Sequence, residues 1–173
     1  MRNLYALATT VRVRPLILFF FITLASTVFG QSFRTPTFTG ALSDFNAAEQ
    51  FAAAANNTTY AITFDAQYMY FGAFRTSGTF GSTDNFAIYI DADPRNTLAS
   101  GNGSTTGKAY NGVTATLPFN ADYSSYTEQG YTDPLNRFNA GWASTGVTPT
   151  VFTSATAREV RISLSDLGNP ASV

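Results

Sequence analysis

Apolar and polar residues alternate along much of this chain, and a period of two residues is typical of a β-strand with one buried face. The alternation is clear in Thr59–Phe64, in Asn85–Ile90 and in Glu159–Leu164. The segment Gln67–Phe74 (QYMYFGAF) carries aromatic residues at odd and even positions, which predicts a central strand that is buried on both faces. A turn at Asp65 joins this segment to Thr59–Phe64, so the two are predicted to form a β-hairpin.

Two further strands are predicted, at Asp122–Tyr126 and Pro149–Thr153, and residues 95–112 are rich enough in Gly, Ser, Thr and Asn to predict a long loop. One short helix is expected over Phe45–Ala54, because its alanines favour helix and Asp44 can cap its N-terminus. The pattern therefore predicts an all-β fold, an antiparallel β-sandwich of jelly-roll type with one short helix. Its shared core is predicted to contain Ile62, Phe64, Phe86, Ile88, Ile90, Val160 and Ile162.

The first thirty residues have the composition of an export signal. Three arginines precede the apolar run Leu16–Leu24, and small residues follow it as far as Gly30. This run is too short for a membrane span, which needs roughly 20 apolar residues. We expect residues 1–30 to be a signal peptide, cleaved after Gly30 or, as second choice, after Ala25. Residues 31–173 are then expected to form one secreted or cell-surface domain with no membrane span.

Composition excludes several kinds of chemistry. The chain has no histidine and no cysteine, which rules out Ser-His-Asp and Cys-His catalysis, Cys/His zinc sites and His-ligated haem. Removal of the three signal arginines leaves seven basic and eleven acidic residues, a net charge of −4. Because no basic cluster remains, we expect no nucleic-acid partner.

Two carboxylates form the candidate metal site. Asp91 and Asp93 follow directly after the predicted strand Asn85–Ile90. Carboxylates two residues apart can share a hard cation such as calcium through their oxygen atoms. An Asp before a proline is also a turn former that accepts hydrogen bonds from its own backbone. Both interpretations stay open at the level of sequence.

Four segments of the chain together resemble a known family. They occur in the family's order, as Tyr60–Gly72, Asp84–Pro94, Leu117–Tyr123 and Arg158–Gly168. They resemble the strands of exported bacterial domains similar to family 9 carbohydrate-binding modules, which are relatives of the DOMON-like sandwiches. The resemblance implies a β-sandwich that binds glycan without catalysis, and calcium in some members. Because such domains usually continue past the Asp-Leu-Gly turn, this chain is expected to be incomplete at its C-terminus.

The same resemblance implies a sugar site built on aromatic rings. Family members clamp a sugar between such rings, typically tryptophans, and Trp142 is the only Trp in this chain. Trp142 is therefore the candidate carbohydrate-binding residue, with Tyr126 and Tyr131 as candidates for a second ring. The alternative is that Trp142 is a core residue, because an indole buries a large area and needs only one hydrogen-bond partner.

These observations favour a non-catalytic exported binding module whose partner is a polysaccharide. A structural or adhesive cell-surface protein without a small ligand is the alternative. A glycosidase needs two carboxylates about 5–10 Å apart across a cleft, and Asp122 with Glu128 is a pair that can be considered for this role. No catalytic motif surrounds either residue, so the chain is not expected to be an enzyme.

Overall fold

The computed structural model describes residues 34–53, 57–82, 84–93 and 101–170. The expected signal peptide at residues 1–30 lies outside the described residues. Strands and short turns build the described part of the chain, and no helix in it is long and apolar enough to cross a membrane. The all-β prediction is confirmed.

All pairings between the described strands are antiparallel. In chain order the strands are β1 (Gln50–Ala53), β2 (Thr58–Phe64), β3 (Tyr68–Arg75), β4 (Phe86–Ile90), β5 (Ser104–Thr106), β6 (Thr116–Ala121), β7 (Tyr123–Glu128), β8 (Tyr131–Phe138), β9 (Trp142–Ser144), β10 (Thr150–Thr153) and β11 (Ala157–Ser163). The first sheet has the order β1-β2-β3-β11-β10, and the second has the order β4-β7-β8-β9. Strands β5 and β6 form a separate hairpin, in which β5 lies within residues 95–112 that were predicted to be a long loop and β6 follows them.

The predicted central strand is β3, which has neighbours on both sides in the first sheet. Its six residues Met69–Phe74 are all buried. Odd-numbered members face the second sheet, and even-numbered members face a segment that covers the back of the first sheet. The aromatic residues at odd and even positions of β3 therefore pack in two different layers, one on each side of the first sheet.

The two sheets pack face to face, as expected for a β-sandwich. Their shared core is built from alternate residues of strands in both sheets, because a strand presents every second side chain to one face. The buried members of this core are Met69, Phe71, Ile88, Ile90, Tyr123, Leu135, Val160, Ile162 and Leu167, with Phe64 and Phe86 partly buried against them.

Ile62 was expected in this core, and that prediction is wrong. Its side chain is 42% exposed, although it lies on the same face of β2 as Phe64. Only β1 lies outside β2 in the first sheet. The Tyr60 ring contacts the Phe86 ring of the edge strand β4 at 6.0 Å between centroids, which places the border of the second sheet near β2. Alternation assigned the correct face, but the face is incompletely covered at this position.

The expected helix over Phe45–Ala54 is also absent from the described part of that segment, residues 45–53. Residues 42–53 form two 3-10 turns, Leu42–Asp44 and Ala47–Glu49, followed by β1. Asp44 lies within the first turn, and its carboxylate accepts hydrogen bonds from the backbone and hydroxyl of Thr39 at 3.1 and 2.6 Å. Pairing of β1 with β2 satisfies the backbone of this alanine-rich segment, and such tertiary context overrides a modest helix propensity.

The segment Arg34–Glu49, here called the N-terminal segment, packs on the back of the first sheet. It contributes the fully buried Phe45, whose ring contacts the Phe74 ring edge-on at 5.7 Å. A second apolar cluster results, made of Phe38, Leu42, Phe45, Ala61, Tyr68, Tyr70, Phe74, Phe152 and Ala157. The first sheet is thereby buried on both sides over much of its area.

Candidate functional site

Three carboxylates meet at one end of the second sheet. Asp91 and Asp93 follow β4, and Asp122 lies between β6 and β7. Pairing of β4 with β7 places Ile90 opposite Tyr123, which brings the start of β7 beside the end of β4. One carboxylate oxygen from each of the three aspartates lies within 4.8 Å of the other two. The fold thus adds Asp122 to the two residues that the sequence indicated.

Hydrogen bonds hold this cluster in place. The Ala92 N–H donates to the Asp122 carboxylate at 2.8 Å, and the Asp93 N–H donates to the Asp91 carboxylate at 3.2 Å. The side-chain amide of Asn102 donates to the Asp93 carboxylate at 3.2 Å. The Asp91 carboxylate therefore accepts a hydrogen bond within its own turn. The alternative interpretation concerned Asp93, the Asp before the proline, and it stays a prediction. The turn and the cluster coexist.

The electrostatics of the cluster favour neutralisation. Burial raises the pKa of Asp91, and the neighbouring Asp122 and Asp93 carboxylates raise it further against the lowering effect of the Asp93 backbone hydrogen bond. Like charges at this separation repel unless a proton or a cation lies among them. Three carboxylate oxygens at this spacing match the ligand chemistry of a hard divalent cation.

A polar cavity of about 590 Å³ opens beside the three carboxylates. Its wall combines carboxylates, amides, one guanidinium and two aromatic rings, contributed by Asp93, Asn102, Asp122, Tyr123, Arg137, Phe138 and Asn139. The Arg137 guanidinium lies over the Tyr123 ring at 5.8 Å from its centroid. The cavity therefore presents donors and acceptors to one small volume.

Trp142 lies close to this cavity but on a different surface. In the register of β8 and β9, Trp142 faces Phe138, on the side of the second sheet that points away from the shared core. Its half-buried indole contacts the Phe138 ring at 5.4 Å and the Tyr89 ring at 6.1 Å. The indole N–H donates to the Thr106 carbonyl at 3.0 Å. Trp142 is therefore neither a residue of the core between the sheets nor a fully exposed platform.

The two candidate tyrosines lie at the other end of the same sheet. Tyr131 begins β8 and Phe138 ends it, a separation of roughly 23 Å at about 3.3 Å per residue. Tyr131 is 53% exposed, but Tyr126 is only 2% exposed and stacks on Tyr110 at 4.4 Å. The structure does not bring these rings together with Trp142, and the buried Tyr126 ring has no face for a sugar.

The outer face of the second sheet is covered by the segment Thr106–Val113. The Tyr89 hydroxyl donates to the Lys108 carbonyl at 2.9 Å, and the Lys108 ammonium lies 2.5 Å from the Asp133 carboxylate. Gly107 is required for this close approach, because a Cβ there lies 2.7 Å from the Tyr89 hydroxyl oxygen. This segment follows Asn102 in the chain and so connects the cavity wall to Trp142.

Asp122 and Glu128, the two carboxylates considered as a catalytic pair, also lie far apart. Asp122 precedes β7 and Glu128 ends it, so the two carboxylates lie roughly 20 Å apart along an extended strand. Glu128 accepts a hydrogen bond from the Tyr126 hydroxyl at 2.7 Å. Asp122 instead belongs to the three-carboxylate cluster. This pair does not form a glycosidase site.

Sequence reasoning missed most of the cavity residues. Arg137, Phe138 and Asn139 lie at the end of a strand that was not predicted, and Asn102 lies in a region that was predicted as loop. Asp122 could have been found, because the predicted strand Asp122–Tyr126 starts at this residue, and an antiparallel partner of Asn85–Ile90 starts beside the end of that strand. Comparison with known protein families, with curated proteins and with solved structures finds no match to this chain.

Proposed function

We propose that this chain is an exported, non-catalytic binding module that holds a glycan in the polar cavity at the end of the second sheet. The observation that supports it is the composition of the cavity wall, which places carboxylates, amides, a guanidinium and two aromatic rings around a volume of about 590 Å³. Pockets of this size are typical of small-ligand sites. Secretion or display at the cell surface belongs to the same proposal.

The wall chemistry suits a ligand rich in hydroxyl groups. A sugar hydroxyl both donates and accepts, so it pairs with the Asp122 carboxylate as a donor and with Arg137 as an acceptor. The amides of Asn102 and Asn139 can serve either role. The Phe138 ring supplies an apolar surface for the C–H groups of a pyranose. Nucleic acid is a poor alternative, because only one cationic side chain lines the described wall.

Calcium is the proposed cofactor of this module. Asp91, Asp93 and Asp122 would hold the ion, and their oxygen-only donor set suits a hard cation. The bound ion would supply positive charge that neutralises the cluster and ties the end of β4 to the start of β7. The resemblance to family 9 carbohydrate-binding modules supports the same assignment. The aromatic clamp of that family is replaced in this proposal by the cavity.

A structural or adhesive role is the second candidate. Phe51 and Ile62 are 51% and 42% exposed, and both lie on the face of β1 and β2 that looks toward the second sheet. Exposed large apolar side chains of this kind are common at protein–protein contacts. In this role the domain would bind another surface protein through β1 and β2, without a sugar in the cavity.

Affinity electrophoresis in gels that contain soluble polysaccharides tests the two candidates. We expect the wild type to be retarded, Arg137→Gln to lose the retardation, and Tyr131→Ala to keep it as a matched control at the other end of β8. Repeating the gels with calcium and with a chelator tests the cofactor. A wild type that no polysaccharide retards, with or without calcium, contradicts the glycan proposal. Loss of retardation in Tyr131→Ala but not in Arg137→Gln moves the site to the predicted tyrosines.

A further inference from the structure

Glu159 is a buried acidic residue with no role in the proposed glycan site. It lies in β11, opposite Gly72 of β3 and Phe152 of β10. Its side chain points to the back of the first sheet, where the N-terminal segment covers it, and the residue is 0% exposed. A buried carboxylate is costly unless it is paired or fully hydrogen-bonded.

The hydrogen bonding of Glu159 is incomplete. The Gly40 N–H of the N-terminal segment donates to Oε2 at 2.5 Å. The other carboxylate oxygen, Oε1, is buried and has no hydrogen-bond partner among the residues that the structure describes. One backbone N–H is too little for an ionised carboxylate at this depth, whereas protonation removes the buried charge and leaves the smaller cost of one unpaired O–H group.

The charged groups around Glu159 do not compensate for its burial. In the N-terminal segment, the Asp44 carboxylate repels a charge on Glu159, and the Arg34 guanidinium is directed to the Asp44 carbonyl and to Glu49. On β11, the Arg161 guanidinium lies over the Tyr68 ring at 4.7 Å and donates to Thr150. On β3, the Tyr70 hydroxyl donates to Asp65. Strand β10 (TVFT) carries no ionisable side chain.

We propose that Glu159 makes the closure of the N-terminal segment over the first sheet dependent on pH. The segment is closed while the buried carboxyl is protonated, and it opens as the carboxyl ionises and takes up water. Opening exposes Phe45 and the back of the first sheet, including Tyr70 and Phe74. The device is independent of the glycan proposal, because the cavity lies at the second sheet.

The direction and size of the effect follow from the titration of Glu159. Burial raises its pKa from 4.5 to about 7, while the Gly40 hydrogen bond lowers it and the Asp44 charge raises it. Because the pKa is raised in the closed state, the closed state is favoured at low pH and loses this advantage as the pH rises from 4.5 through 7. If the open state titrates near 4.5, the opening equilibrium constant rises about tenfold between pH 6 and pH 8.

Hydrogen exchange of the Gly40 and Phe45 amides at pH 6 and pH 8 tests the proposal, after correction for the intrinsic pH dependence of exchange. We expect opening of the wild type to rise about tenfold between these pH values, as linkage requires. Glu159→Gln keeps an oxygen for the Gly40 N–H and cannot ionise, so its opening should not change with pH. Glu128→Gln, which removes a carboxylate from the second sheet, is the matched control and should follow the wild type.

Infrared difference spectroscopy between the wild type and Glu159→Gln gives a second test, because the difference removes the bands of other carboxyl groups such as Asp91. A protonated carboxylic acid has its own carbonyl band, which we expect to be present at pH 6 and lost by pH 8.5. A pH-independent opening of the wild type overturns the proposal, as does a rise that survives in Glu159→Gln. Absence of the carbonyl band at pH 6 also overturns it, because Glu159 would then be ionised while buried.

Discussion

Replacement of Trp142 by alanine distinguishes a packing role for this residue from a sugar-stacking role. The indole joins three parts of the structure, because it contacts the Phe138 ring of the cavity wall, the Tyr89 ring of β4 and the Thr106 carbonyl. Trp142→Ala removes all three contacts. Since Thr106 begins the segment that covers the second sheet, its attachment to the sheet should weaken as well.

The expected loss in the free energy of unfolding is the sum of the contributions of these contacts. Each aromatic edge contact contributes about 0.5–1.5 kcal/mol, and the indole hydrogen bond contributes about 1 kcal/mol. A fully buried Trp→Ala change costs about 3–5 kcal/mol. Since Trp142 is only half-buried, we expect a loss of about 2–3 kcal/mol in the free energy of unfolding. Trp142→Phe keeps most of the ring packing and loses the hydrogen bond, so it should cost about 1 kcal/mol.

Urea unfolding of the wild type and of Trp142→Ala, Trp142→Phe and Tyr131→Ala measures these losses from the transition midpoints at constant slope. Tyr131→Ala removes an exposed ring and should cost less than about 1 kcal/mol. The packing role is refuted if Trp142→Ala costs no more than Tyr131→Ala. If Trp142→Ala keeps full stability and yet abolishes retention on polysaccharide, Trp142 stacks on the sugar directly.

Three further predictions concern a turn, an ion and an acid. Gly40→Ala should lower the free energy of unfolding by about 2–4 kcal/mol, because Gly40 has φ +81° and a Cβ there lies 2.2 Å from the Phe152 ring. Gly78→Ala, with open space around the new Cβ, should lower it by only about 1–2 kcal/mol. Urea unfolding measures both losses. Saturating calcium should raise the melting temperature of the wild type but not of Asp122→Asn. Burial disfavours the ionised form of Asp65, but four hydrogen bonds to its carboxylate outweigh burial and lower the pKa of Asp65 to about 2. The free energy of unfolding should therefore fall from pH 4 to pH 2, and it should fall less steeply in Asp65→Asn.

The local sequence pattern was sufficient to predict the strands in which apolar and polar residues alternate regularly. Asn85–Ile90 and Glu159–Leu164 correspond to β4 and β11, and the aromatic run after Asp65 corresponds to the central β3. These predictions succeed because the side-chain period of a strand is fixed by backbone geometry. The all-β class follows from the number of such segments.

Other features depended on partners that are distant in the sequence. The alanine-rich segment Phe45–Ala54 favours helix locally, but pairing with β2 makes its second half a strand. Ile62 faces the expected side of its strand, but its exposure depends on how far the second sheet extends over it. Such outcomes are set by contacts that no local window contains.

The candidate site also combines features that the local sequence predicts with features that depend on distant parts of the chain. The sequence by itself placed Asp91 and Asp93 at the end of a strand and identified Trp142 as the single indole. The tertiary structure alone added Asp122 to the carboxylates, placed Trp142 on the outer face of the second sheet and kept it far from Tyr131. The physical reason is that strand pairing and sheet packing bring side chains together through the register between strands, and a one-residue change of register turns a side chain to the opposite face.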